Sequence, residues 1–172
     1  MLAVRPAIAA DLAPLTAIYN YYVLHTPITF DVTPFEPEQR RAWFDEHTAG
    51  GRYRLLVAAS DDDEIVGYAT TSRWRPKPAY DTTVESTVYV RHDVVGRGIG
   101  RQLYRALFDA IAGEDVHAVV AGIALPNEAS AALHARCGFQ QVGVFREVGR
   151  KFDRLWDVAW WQRAVHLRRT AA

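Results

Sequence analysis

Residues 85–111 read ESTVYVRHDVVGRGIGRQLYRALFDAI, and three signals follow one another along this stretch. Thr87-Val88-Tyr89-Val90 is β-branched and aromatic, which predicts a strand. Gly96-Arg97-Gly98-Ile99-Gly100 then sets three glycines at alternate positions, next to basic side chains. Leu103, Leu107, Ala110 and Ile111, with Tyr104 and Phe108 beside them, repeat at helical spacing. Glycine lets a backbone turn sharply and a ligand come close to its amides, and the first amides of a helix have no partner within it. A strand, a glycine-spaced turn and a helix in this order form a cradle for an anion.

Spacing narrows the choice of anion. A P-loop ends in Gly-Lys-Ser/Thr, whereas Gly100 is followed by Arg101-Gln102. The dinucleotide fingerprint needs a third glycine where Arg101 stands. The stretch instead resembles the acetyl-CoA loop of the GNAT superfamily, Arg/Gln-x-x-Gly-x-Gly/Ala between a strand and a long helix. Gly98 and Gly100 match, and Val95 occupies the position where that family has Arg or Gln. This departure removes one side chain and leaves the amides intact. The alternative is a loop that uses its glycines only to turn.

The chain has 172 residues, enough for one well-buried core and short for two domains. The expectation is a single domain over residues 1–166 with a frayed tail, 167–172. Twenty basic and twenty acidic residues cancel, so no global field draws nucleic acid or an anionic membrane. The single cysteine, Cys137, excludes an internal disulfide and fits a reducing compartment. No apolar run approaches membrane-spanning length and the first residues carry no signal-peptide pattern, so a cytoplasmic protein is expected.

Around the central stretch, Leu2 to Arg5 reads as a strand limited by Pro6. Asp11 reads as the N-cap of a helix whose face carries Leu12, Leu15, Ile18, Tyr19, Tyr22 and Val23. In the loop that follows, Ile28 and Phe30 either cover something or pack on the core. A second helix opens near Pro37 and runs towards Gly50-Gly51. Strands are expected at Arg54 to Ala59 and Ile65 to Trp74 around the turn Asp61-Asp62-Asp63. If the second persists, Arg73 and Arg75 share a face and form a pair able to clamp a carboxylate. His117 to Ala124 reads as a buried parallel strand, and Pro126-Asn127 opens a helix ending at Gly138. Val144 to Phe152 and Leu155 to Gln162 complete the chain, with Asp153-Arg154 as their turn. Alternation in the middle with hairpins on either side argues a mixed α/β sheet.

Ala79-Tyr80-Asp81, Val84 to Val90, Leu125-Pro126-Asn127 and Asp157-Val158 with Trp161-Gln162 resemble the phosphinothricin acetyltransferase branch of the GNAT superfamily. The resemblance implies a mixed sheet of about six to seven strands with a splayed central pair, flanked by about four helices. It also implies acetyl-CoA as co-substrate, a small amino acid or analogue (phosphinothricin, methionine sulfone, methionine sulfoximine) as amine acceptor, and a homodimer. Carried onto this chain, it puts the pantetheine arm on Val88, Tyr89 and Val90 and the pyrophosphate on Gly96, Arg97, Gly98, Ile99, Gly100 and Arg101. Asn127 holds the arm further down or simply caps its helix. Phe30, Arg73, Arg75, Tyr80 and Glu85 surround the acceptor. His134 is a candidate to protonate the leaving thiolate, or a structural histidine.

An acceptor amine is largely ammonium at neutral pH and must lose a proton before it attacks. Glu85 is the candidate general base, directly or through water, the alternative being an ion pair with an arginine. The reaction needs no metal and no cysteine nucleophile. Rival readings are a peptide N-terminus or polyamine as acceptor, and a CoA-binding module without turnover. Near the C-terminus the family runs Gly-x-Lys-x-Gly-x-Trp. Here Asp153 replaces the second Gly, Leu155 the Trp, and Trp156 follows. Trp156 either narrows the acceptor pocket or repacks the core or a dimer contact.

Overall fold

The computed structural model describes residues 2–47 and 49–165, so the expected tail at 167–172 lies outside the described residues. The described chain forms one seven-stranded sheet in the order β1-β2-β3-β4-β5-β7-β6. The strands are β1 (Ala3–Pro6), β2 (Leu55–Ala59), β3 (Ile65–Arg73), β4 (Thr83–Val90), β5 (Ala118–Ala124), β6 (Gln140–Lys151) and β7 (Arg154–Ala164). All neighbours run antiparallel except β4 and β5. Four α-helices flank them: α1 (Leu12–His25), α2 (Arg41–Asp45), α3 (Ile99–Ile111) and α4 (Glu128–Arg136).

Both faces of the central strands are covered, and for this reason β2 reads as an unbroken apolar run. Leu55, Val57 and Ala59 join Leu15, Ile18, Tyr68 and Tyr89 beneath α1. Leu56 and Ala58 face the other way, onto Leu103, Tyr104, Leu107 and Ile111 of α3. Neighbouring residues of a strand point to opposite faces, so the two clusters share one backbone.

The sheet is opened by a change of register partner. β4 pairs with β3 along its length, from Val84 opposite Arg73 to Val90 opposite Gly67. Its parallel pairing with β5 covers only Thr83, Val84 and Glu85. Beyond Glu85 the two strands diverge, and this is the expected splay. Antiparallel partners alternate between hydrogen-bonded and non-bonded pairs. Since the Arg91 amide donates to the Val66 carbonyl, Tyr89 is bonded to β3, whereas Val88 and Val90 turn their backbone groups away from it, the Val90 carbonyl accepting from the Tyr22 hydroxyl.

Several boundaries differ from those expected. Asp11 does not cap α1 with its side chain. Its buried carboxylate accepts from the Ile8 amide, closing a 3-10 turn at Ala9–Asp11, and from both terminal nitrogens of Arg5. Pro6 does not precede the strand end but forms it, at the sheet edge. The second helix stops at Asp45, because the His47 ring folds back onto the Trp43 carbonyl. β6 begins at Gln140 and its hairpin turns at Phe152-Asp153, both left-handed (φ 52° and 55°), in place of the expected Asp153-Arg154. Two left-handed residues match the twist of a two-residue hairpin. Among the described residues no helix is long and apolar enough to cross a membrane.

Candidate active site

The gap between β4 and β5 opens into a cavity of about 240 Å³, lined by Phe30, Glu85, Val88, Asn127, Ser130 and His134 among others. Three of its walls arise from simple local causes. β4 supplies a strand edge with no neighbour. Asn127 is the N-cap of α4, its Oδ1 accepting from the Ser130 amide at 3.0 Å, and its Nδ2 group makes no hydrogen bond among the described residues. The loop after α1 brings Ile28 and Phe30 across the opening, which decides their reading in favour of cover.

At one end of the gap, Gly98 forms the N-cap of α3 with φ +78°, and Gly96 has φ +82°. A Cβ at either would meet nothing within 4 Å, so both glycines leave open space in front of the backbone. Gly100 serves a different purpose: a Cβ there would lie 2.9 Å from Leu133, so its missing side chain lets α3 and α4 approach. The first backbone bond back into the helix is Gln102 to Gly98, which leaves the amides of Ile99, Gly100 and Arg101 without helical partners. Exposed Arg97 and Arg101 add positive charge beside them. A free strand edge leading to unpartnered amides suits an amide-containing arm that ends in a diphosphate, the chemistry of coenzyme A.

Glu85 lies where β4 and β5 part. It is half-buried, makes no ion pair or hydrogen bond among the described residues, and burial raises its pKa above the ordinary carboxylate value. The arginine-paired alternative is therefore not what the fold builds. Directly across on β3 is Ser72, whose hydroxyl lies 3.1 Å from His47 Nε2.

His134 is buried at 3% exposure. Its Nδ1 lies 2.7 Å from the Ser130 carbonyl, so that nitrogen carries the proton, and Nε2, 2.7 Å from the Tyr104 hydroxyl, accepts. Burial lowers its pKa. The neutral ring thus has no proton facing the cavity, and it holds Tyr104 against Ser86 on β4. Cys137 is a free, half-buried thiol whose pKa burial raises.

The expected arginine clamp is not assembled. β3 ends at Arg73, and Arg73 is paired with Val84, on the face opposite Glu85, where its Nε meets the Tyr53 hydroxyl at 3.4 Å. Arg75 lies in the following loop, stacked 4.7 Å over Trp74 and 5.8 Å from the Tyr80 ring. Trp156 is paired with Gly149, and its Nε1 donates to the Lys151 carbonyl at 2.9 Å.

Two features escaped the sequence. Arg40, 7% exposed, sits between the rings of Tyr19 and Trp43 at 4.4 and 4.0 Å and lines a second cavity of about 300 Å³ with Ser72 and Thr87. A third cavity of about 300 Å³ joins Phe30 and Glu85 to Phe145, Val148 and Trp160 of the β6–β7 hairpin. Each is completed by residues far apart in sequence, Tyr19 with Arg40 in the one and Phe30 with Trp160 in the other, so no local pattern announces it. Among the described residues no group of His, Cys, Asp and Glu is arranged to hold a metal ion.

Comparison with known proteins supplies an independent line. The sequence pattern of the acetyltransferase (GNAT) family matches residues 15–139. A phosphinothricin N-acetyltransferase of Streptomyces coelicolor is 61% identical over 163 residues, covering 94% of this chain and 95% of that protein. An L-methionine sulfoximine/L-methionine sulfone acetyltransferase of Pseudomonas aeruginosa is 41% identical, with 92% of each chain covered. Among solved structures, a phosphinothricin acetyltransferase from Sinorhizobium meliloti in complex with acetyl-CoA superposes with TM-score 0.90 at 30% identity, over 99% of this chain and 92% of that one. An acetyltransferase from Salmonella typhimurium with acetyl-CoA gives 0.89 at 33%, over 99% and 96%.

Proposed function

The chain belongs to the GNAT acetyltransferase family, and from this premise we propose that it moves an acetyl group from acetyl-CoA to the amine of a small amino acid or amino-acid analogue. One observation carries the reading: an unpaired carboxylate, Glu85, stands at the fork where β4 turns the backbone of Val88 and the amide of Val90 into an open cleft, the Val90 carbonyl being held by the Tyr22 hydroxyl. The relatives that act on phosphinothricin and on methionine sulfoximine or sulfone support that class of acceptor.

Acetyl-CoA, when bound, supplies a thioester whose carbonyl carbon the amine attacks, CoA leaving as its thiol. Val88, Tyr89 and Val90 would hold its pantetheine arm as an added strand. Gly96 to Arg101 would hold the diphosphate, with Asn127 donating its free amide further down. Glu85 takes the ammonium proton, directly or through one water, and its raised pKa makes it a better base than an exposed carboxylate. The Val90 amide faces the region where thioester oxygen would gain charge. For His134 the neutral, doubly bonded ring favours a positioning task over that of an acid. For the acceptor carboxylate, Arg75 beside Tyr80 is favoured over Arg73, which belongs to the other face. Phe30 closes the acceptor side.

A cytoplasmic homodimer fits the same reading. Thiol release from acetyl-CoA with a panel of amino acids tests it. Turnover confined to free α-amino acids and analogues is expected, and thiol release that no amine accelerates would refute it.

A further inference from the structure

The wall formed by Phe30 belongs to a loop that the Tyr19 hydroxyl holds on either side of the ring, at Thr29 and Asp31, and two residues far along the chain add a second hold. Gly149 on β6 lies under the ring: a Cβ there would come within 2.2, 2.4 and 2.6 Å of Phe30 Cε2, Cζ and Cδ2. The aromatic ring therefore rests flat on bare backbone. Two residues on, and so on the same face, Lys151 is 4% exposed and makes no ion pair among the described residues, Asp31 of the loop acting on it only at longer range. Its ammonium donates to the carbonyl of Thr29, the residue before Phe30, at 2.7 Å, and reaches the Tyr22 carbonyl in the last turn of α1 at 3.5 Å. A cation suits the negative end of a helix, and a buried one needs its donors satisfied. One strand thus fixes the loop twice, by its backbone through Lys151 and by its ring through Gly149.

We propose that Gly149 and Lys151 are positioning residues for the acceptor, seating Phe30 as the wall shared by the two cavities beside Glu85. The inference rests on reading those cavities as the acceptor's. Gly149 has no left-handed φ, so alanine suits its backbone and reports on the ring alone. Carbon contacts need about 3.5 Å, so the added methyl moves the ring by roughly 1 Å or more.

The test is a double-mutant cycle in the full chain, with Gly149→Ala and Phe30→Ala singly and together, and Lys151→Met alongside. In the presence of Phe30, Gly149→Ala should raise the acceptor KM by about tenfold while the acetyl-CoA KM stays within about twofold. In the Phe30→Ala background the same change should leave the acceptor KM within about twofold. Lys151→Met should act like Gly149→Ala, with acetyl-CoA again spared. Denaturant midpoints follow the cycle without turnover: Gly149→Ala should lower the midpoint only when the ring is present. Equal effects in both backgrounds, or acetyl-CoA and acceptor constants rising together, would overturn the inference while leaving the transferase reading intact. A wild-type protein that turns over no amine would overturn both.

Discussion

At the scale of single residues, chemistry and fold make separate demands, and Glu85 is where they diverge. A half-buried carboxylate without ion pair or hydrogen bond contributes nothing evident to packing, and its burial shifts its titration upwards. Glu85→Gln keeps the shape and removes the base, so turnover at neutral pH should fall by about 100-fold with acetyl-CoA affinity unchanged. The acid limb of the wild-type rate profile should lie above the ordinary carboxylate range, because the group must be deprotonated to act and its pKa is raised. In the glutamine variant the rate should instead climb with pH as the free amine becomes available. A variant whose pH–rate profile overlays that of the wild type would remove Glu85 from the mechanism. The residue was legible in sequence because a charge inside a β-branched string has no packing explanation. Arg73 was misread for the complementary reason. Its face depends on where β3 stops, and spacing alone does not tell that.

At the scale of elements, the stretch 85–111 could be read because strand, turn and helix are each local. The glycines divide their labour in a way visible only in three dimensions: Gly98 supplies a left-handed residue and open space, while Gly100 admits Leu133. Gly98→Val should therefore weaken acetyl-CoA by roughly 10- to 100-fold, the loss of one or two charge-assisted bonds, and destabilise the free protein by about 1–2 kcal/mol through left-handed strain. Calorimetric titration with acetyl-CoA, alongside unfolding of the free protein, separates the two effects. A folded variant with wild-type affinity would mean that the loop only turns. The wild-type protein at one hundred times the dissociation constant of acetyl-CoA should gain about 2.7 kcal/mol against unfolding. The hairpin was less legible. Its left-handed Phe152-Asp153 turn breaks the usual glycine signal, and Trp156 changes partners with it, pairing with Gly149 beside the Phe30 loop. The indole lines none of the three cavities and reaches the acceptor wall only through Gly149 and Phe30; acting by that route it should make phosphinothricin a poorer substrate than methionine sulfone, and Trp156→His should narrow the difference. Identical kcat/KM ratios in the two proteins would make the indole purely structural.

For the whole molecule, what escaped the sequence are contacts between distant segments: Arg40 between two aromatic rings, Lys151 under the α1 loop, His47 on Ser72. Two histidines, half-buried His47 from this set and buried His134, govern stability against pH. His134 and His47 both have pKa values lowered by burial from the ordinary 6.5. Below that value the unfolded chain takes up protons that the folded chain refuses, so stability is full above about pH 6.5 and declines as pH falls towards the folded values. Glu85 works in the opposite sense, its raised pKa favouring the folded state as pH falls through the carboxylate range. Urea midpoints from pH 8 to 5 should therefore drop, and His134→Gln should flatten part of that drop; an unchanged slope would exclude His134 as its source. The surface carries the last consequence. β6 is an edge strand of twelve residues, and Val142, Phe145 and Val148 along it are each more than half exposed. A long apolar edge invites pairing with another chain. A second copy of this chain is the partner that fits the proposed dimer, and it would also cover the third cavity at Phe145 and Val148. Val142→Glu with Val144→Glu, outside the cavity linings, should convert a dimer into a folded monomer by light scattering, and the monomer should lose acceptor affinity before acetyl-CoA affinity. A wild-type protein that runs as a monomer at micromolar concentration would show that the edge is covered by something else.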